Sequence, residues 1–414
     1  MPKISTHVNG FRTALFVALT AALTLPLLAA PASAVASNPG SWTGAWATSP
    51  QREAGPTFAD QTLRMLVHPT LGGSPLRIRL SNTYGAEDVT FGAVGVARAV
   101  ASGSPGLVAG TGRPVTFRGR ATVTVPAGGQ IFSDPVQLGI EYGQDLAVDL
   151  YVTAGGDAAA ITGHDAAQGT QFVAAGNQAG ATGAPFTGTV NSWFWLSGVD
   201  VRPARAVPGS IVALGDSITD GAYSTWNGND RWTDGLAARL GALPAHRRFG
   251  VLNEGIGGNQ ILTDRTDCCG AGTSVSALTR ERADVRRQTR VRYLILAEGI
   301  NDIGYHADAE TLIAGMRTIA DRARRAGITV IGATITPYGC ESSCFSTAQE
   351  ATRQQVNAWV RTSRAFDGVA DFDAAIRDPQ QPSQVLPAYQ ADHLHPNIAG
   401  QRAMADSIDL SLFR

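Results

Sequence analysis

The chain has 414 residues, with 33 Lys+Arg against 34 Asp+Glu, and 44% of it is hydrophobic. That is the composition of a globular protein able to bury a substantial core, which excludes disordered and fibrous architectures. A formal net charge of −1 supplies no basic excess of the kind phosphate binders carry, so no nucleic-acid partner is expected. Lys3 is the only lysine, and Schiff-base chemistry and a P-loop lysine are lost once the N-terminus is removed.

Lys3 and Arg12 precede an apolar run over residues 14–28, which is followed by Ala32-Ser33-Ala34. This is the three-part pattern of a secretory signal over residues 1–34, with cleavage after Ala34 or Ala36. The expected product is extracellular and has no stable membrane anchor. Cys268, Cys269, Cys340 and Cys344 form an even set, which in an oxidising compartment favours disulfides over zinc. The C-x2-C spacing of metal sites is absent, and neither metal nor cofactor is expected. Three pairings are open, and the one anticipated joins the 268/269 loop to the 340/344 loop.

Residues 35–205 read as an all-β sandwich or jelly-roll module. Alternating segments at 62–67, 76–80 and 146–152 are separated by Gly, Pro, Asn and Ser, the pattern of antiparallel strands. Trp42, Trp46, Trp193 and Trp195 read as core more readily than as sugar platforms. His68 and His164, far from any later motif, read as surface or satisfied core residues.

From 206 to 414 the rhythm changes. Apolar runs at 211–214, 251–252, 293–297 and 329–333 alternate with helical stretches at 232–240, 309–326 and 347–366, which predicts an α/β domain with a parallel sheet. Reactive groups in such sheets gather past the carboxyl ends of the strands. Four segments qualify: Gly215-Asp216-Ser217, the glycine-rich 253–259 containing Gly258, Gly299-Ile300-Asn301-Asp302, and Asp392-His393-Leu394-His395-Pro396. Between them they offer a hydroxyl nucleophile, a backbone donor, a side-chain amide and an Asp-x-x-His pair, the set that acyl transfer needs. G-x-S-x-G and H-E-x-x-H do not occur, which argues against the α/β-hydrolase fold and the zincins. The arginine-rich stretch 280–292 alternates with acids and reads as a solvated helix face.

These four blocks, over about 207–414, resemble the SGNH (GDSL-type) hydrolase family. The resemblance implies a flavodoxin-like three-layer α/β/α domain acting as an esterase, lipase or carbohydrate deacylase. It makes Ser217 the nucleophile, His395 the base and Asp392 its orienting acid, with Ser217 N–H, Gly258 N–H and the Asn301 side chain as the oxyanion hole. Together with the β-module, the chain is similar to secreted xylan-associated acylhydrolases. The expectation is a secreted, cofactor-independent serine esterase for small acyl groups such as acetyl, carried on a small molecule or a polysaccharide. A lipase or phospholipase of the same family and a carbohydrate-binding protein with a relic catalytic half are the alternatives. Arg231, Trp232 and His306 are candidates for the substrate pocket.

Overall fold

Each apolar run after residue 208 forms a strand in the computed structural model, which describes residues 41–54, 56–156, 159–265, 274–340 and 344–414. The strands are β1 (Gly209–Gly215), β2 (Phe249–Gly255), β3 (Val291–Ala297), β4 (Thr329–Ala333) and β5 (Gly368–Ala370). All pair in parallel in the order β2-β1-β3-β4-β5, the flavodoxin-like order 2-1-3-4-5. Every residue of β1 is buried, which is why this strand reads as a continuous apolar run rather than an alternating one.

Helices α1 (Ser217–Asp220), α2 (Trp232–Gly241), α3 (Ala277–Glu281), α4 (Ile300–Gly304), α5 (Ala309–Arg325), α6 (Thr347–Thr362), α7 (Phe372–Ile376) and α8 (Ile398–Ser407) connect and flank this sheet. In α5 the Asp308 side chain caps the first turn by accepting from Thr311 N, and Leu312, Met316, Ile319 and Ala323 line the buried face. α6 ends at Thr362, four residues before the end of the 347–366 stretch. Arg364 turns left-handed at φ 56° and stops the helix there.

Residues 43–201 form antiparallel sheets. The two larger ones enclose one core, with Leu63, Met65 and Leu150 facing from one sheet and Ile78, Leu80 and Val199 from the other. Trp46, Trp193 and Trp195 are buried in it, and the Trp42 ring lies 4.7 Å from the Arg77 guanidinium and 4.6 Å from that of Arg202. The antiparallel and parallel halves fall in one compact unit. Thr70 ties them together at the sheet edge: its hydroxyl lies 2.8 Å from Ala45 O and 2.9 Å from Val251 O, and it accepts from Val251 N. The edge strand β2 is thereby covered. Gly250 makes this approach possible, since a Cβ there would sit 1.9 Å from Gly44 O.

Two expectations are corrected. Cys340 pairs with Cys344 instead of reaching the 268/269 loop, because the chain folds back and brings their Cα atoms within 5.6 Å. Cys268 and Cys269, like the signal segment 1–34, lie outside the described residues. The 280–292 stretch is solvated on one side only, at Arg282, Ala283 and Arg287. Arg280, Glu281, Asp284, Val285 and Gln288 are buried, and the charges among them are matched by partners inside the fold. Alternating charge looks the same in sequence whether its partner is water or a buried ion.

Candidate active site

Strand register gathers the site. Gly215 of β1 pairs with Gly255 of β2 and with Ala297 of β3, so three neighbouring strands end level. The loops that follow carry Ser217, Gly258 and Asn301. Strand order reverses at β1, which opens a crevice above the strand ends.

Ser217 is the first residue of α1. Asp216, just before it, caps the helix by accepting from Ile218 N at 3.0 Å. Burial pushes the Asp216 carboxyl up to about 7, against the pull of that N–H, with nearby Asp302 adding to the rise. Ser217 Oγ lies 2.9 Å from His395 Nε2. On the other side of the ring, His395 Nδ1 lies 2.8 Å from Asp392 Oδ2.

The Asp-x-x-His spacing works because the segment is a tight loop. Ala391 N donates to His395 O, and Asp392 Oδ1 accepts from His395 N at 2.7 Å and Leu394 N at 3.2 Å. Partial burial works against the Asp392 charge. The backbone and imidazole donors of His395 outweigh it and hold this carboxyl below its ordinary range. A carboxylate at Nδ1 keeps the proton on that nitrogen and leaves Nε2 to accept from Ser217. His393 occupies the left-handed corner of the loop at φ 70° and faces solvent.

The donor side is equally braced. Asn301 Nδ2 gives one proton to Asn259 O at 2.9 Å, and its second N–H remains for a substrate oxygen. Asp302 accepts from Ile261 N and Leu262 N at 2.9 and 3.0 Å, fixing the loop that contains Gly258 against α4. Gly258 takes φ 68°, a conformation that favours glycine.

Beneath the crevice, Arg280 uses its whole guanidinium. It donates to Asn259 Oδ1, Ser49 Oγ, Glu254 O, Asp284 Oδ2, Gly215 O and Glu298 Oε1, at 2.8 to 3.3 Å. One buried cation thus joins the ends of all three strands to the antiparallel half. Burial, reinforced by neighbouring carboxylates, pushes Glu254 and Glu298 well above the usual range.

The structure does not bring Trp232 to the crevice. Its indole is fully buried, packed on Phe372. Arg231 is buried as well and donates to Asp220 O and Ala167 O; both residues start α2. His306 is exposed in an open cleft with Gln260, Arg265 and Tyr305. Sequence reasoning missed Arg280 and Tyr223. The Tyr223 ring lies 5.4 Å from the His395 ring, and its phenol is held above its usual range by the charge of Asp392 and a hydrogen bond to it. The available signal for Arg280 was its position on the helical stripe of Ala277 and Val285.

Residues 213–403 match the family described as GDSL-like lipase/acylhydrolase. No curated protein matches the chain. Among solved structures, a lipolytic protein of the G-D-S-L family from Desulfitobacterium hafniense DCB-2 is similar at 19% identity and TM-score 0.37, over 48% of this chain and 96% of that one. A member of the same lipolytic family from Veillonella parvula DSM 2008 is similar at 20% identity and TM-score 0.37, over 49% and 96%. An acetyl xylan esterase is similar at 17% identity and TM-score 0.37, over 48% and 96%.

Proposed function

Residues 213–403 belong to the GDSL-like lipase/acylhydrolase family, hydrolases acting on esters, and on that premise we propose that the chain is a serine esterase for small acyl groups, acetyl esters on carbohydrate foremost. The reading rests on one observation: the continuous line from Ser217 Oγ through His395 to Asp392, at 2.9 and 2.8 Å. We place its action outside the cell, on the secretory pattern of residues 1–34.

A serine hydroxyl at its ordinary pKa is a weak nucleophile. As Ser217 attacks the ester carbonyl, His395 Nε2 takes its proton and Asp392 stabilises the imidazolium. The tetrahedral oxyanion meets the Asn301 amide and the N–H groups of Ser217 and Gly258. His395 then gives the proton to the departing alcohol, leaving an acyl-enzyme. Water, deprotonated by the same imidazole, attacks the acyl carbon and restores Ser217. Each donor at the oxyanion is worth about 2.7 to 4 kcal/mol in an enclosed site.

The test is a chain-length series of p-nitrophenyl esters. Acetate is expected to be turned over with the highest kcat/KM, and Asn301→Ala to lower kcat roughly 100-fold or more with a smaller change in KM. A preference for long acyl chains overturns the reading.

A further inference from the structure

Among the described residues, the large hydrophobic side chains exposed to solvent are Val100, Val108, Tyr142, Tyr223, Trp226, Tyr305 and Ile398. Tyr223, Trp226, Tyr305 and Ile398 each lie within nine residues of Ser217, Asn301 or His395. Exposed large apolar side chains gathered on the loops that carry the catalytic residues point to something bound beside them.

The loop carrying two of these rings is fixed in place. Trp226 is 49% exposed, yet its indole N–H donates to Thr170 Oγ1 at 2.9 Å. Asn227 N donates to Gln168 O, and Asn227 Oδ1 accepts from Thr170 N at 2.7 Å. Thr225 N and its hydroxyl both donate to Asp230. The antiparallel half therefore holds the loop through residues 168–170 and keeps an open indole from folding down. Tyr223, three residues earlier on the same loop, has its ring 5.4 Å from that of His395. Across the site, Tyr305 follows Asn301 by one helical turn, its N–H donating to Asn301 O, and its ring lies 3.8 Å from the Arg265 guanidinium.

We propose that the Tyr223–Trp226 wall is a stacking surface for the sugar ring of a glycan ester, held in position by residues 168–170 of the antiparallel half. The proposal rests on the esterase reading and names where its carbohydrate lies. A pyranose has an apolar C–H face bounded by hydroxyls, which matches aromatic faces set among Thr225, Asn227, Asn229 and Asp230. A lipid surface calls for contiguous aliphatic area, and Ile398 is the one exposed aliphatic side chain near the crevice among the described residues. Trp46, Trp193 and Trp195 of the antiparallel half cannot serve, because they are buried.

Wild type, Trp226→Ala and Trp226→Phe are compared on acetylated xylan oligosaccharides and on p-nitrophenyl acetate. The expected result is a fall in kcat/KM for Trp226→Ala on the oligosaccharides at least tenfold larger than its fall on p-nitrophenyl acetate, with Trp226→Phe recovering most of the loss. Titration calorimetry of the same oligosaccharides into Ser217→Ala is expected to give binding that Ser217→Ala/Trp226→Ala loses. Equal losses on both substrates, or no loss on either, overturn the wall. So does binding to phosphatidylcholine vesicles that vanishes with Trp226→Ala. Wild type that hydrolyses neither ester instead overturns the esterase reading, whatever the calorimetry shows.

Discussion

His164 Nε2, from the antiparallel half, lies 3.1 Å from Asp220 Oδ1 at the end of the helix that begins with Ser217. The other ring nitrogen lies 2.8 Å from Ser49 O. Burial pulls the His164 pKa down, but Asp220 and the Ser49 carbonyl outweigh it and the net direction is up. This stabilisation is fully present below the unfolded histidine pKa and is lost as pH rises through the folded one. His164→Ala leaves a buried carboxylate without its partner, and a loss of about 2 to 4 kcal/mol is expected in urea denaturation at pH 6. The loss should shrink at pH 9.

Arg280 feeds six acceptors under the crevice, and lysine, with three N–H groups, cannot reproduce that fork. Arg280→Lys is expected to lower kcat on p-nitrophenyl acetate by roughly 10- to 100-fold with KM little changed, since the loops bearing Gly258 and Ser217 lose registration. Arg280→Met strands the acids without a cation and should cost about 3 to 5 kcal/mol. Stopped-flow kinetics and calorimetric melting separate the two effects.

Glu53 is buried with Oε1 lacking a hydrogen-bond partner. Burial, and then the charge of Asp165, push it up to about 7 from an ordinary 4.5. A carboxyl whose folded pKa is raised stabilises the fold below its unfolded pKa and loses that contribution as pH rises through the folded value. Between pH 4.5 and 7 the Glu53 contribution should therefore decline by about 1 to 3 kcal/mol. Glu53→Gln is expected to flatten this part of the stability profile and to be more stable than wild type at pH 8, as read from melting temperatures.

The charge of Asp392 raises the pKa of the Tyr223 phenol. Tyr223→Phe keeps the ring against His395 and removes the donor, so kcat on p-nitrophenyl acetate should fall by roughly threefold to tenfold at constant KM. An unchanged kcat would show that the loop hydrogen bonds of His395 and Leu394 suffice to orient the carboxylate.

Much of the parallel half was legible because its strands are buried on both faces and leave unbroken apolar runs, and because the residues after Leu214, Leu252 and Ala297 fall where such sheets gather chemistry. The family resemblance picked out His395 over its neighbour His393, and the loop puts His393 at a left-handed corner. What was not legible depends on partners distant along the chain. Arg280 looks solvated until Ser49, 231 positions earlier, is brought against it. Trp232 looks like a pocket residue until Phe372 covers it, and β5, only three residues long, is too short to show a period. The closure of Cys340 on Cys344 depends on a local reversal that residue spacing alone does not dictate.

The most direct measurement is peptide mapping after exposure to a fluorophosphonate. One covalent adduct is expected, on the peptide containing Ser217. The adduct should be absent from Ser217→Ala and form much more slowly in His395→Ala. A folded wild-type protein that takes up no label, or takes it on a different serine, would contradict the assignment of Ser217 as the nucleophile.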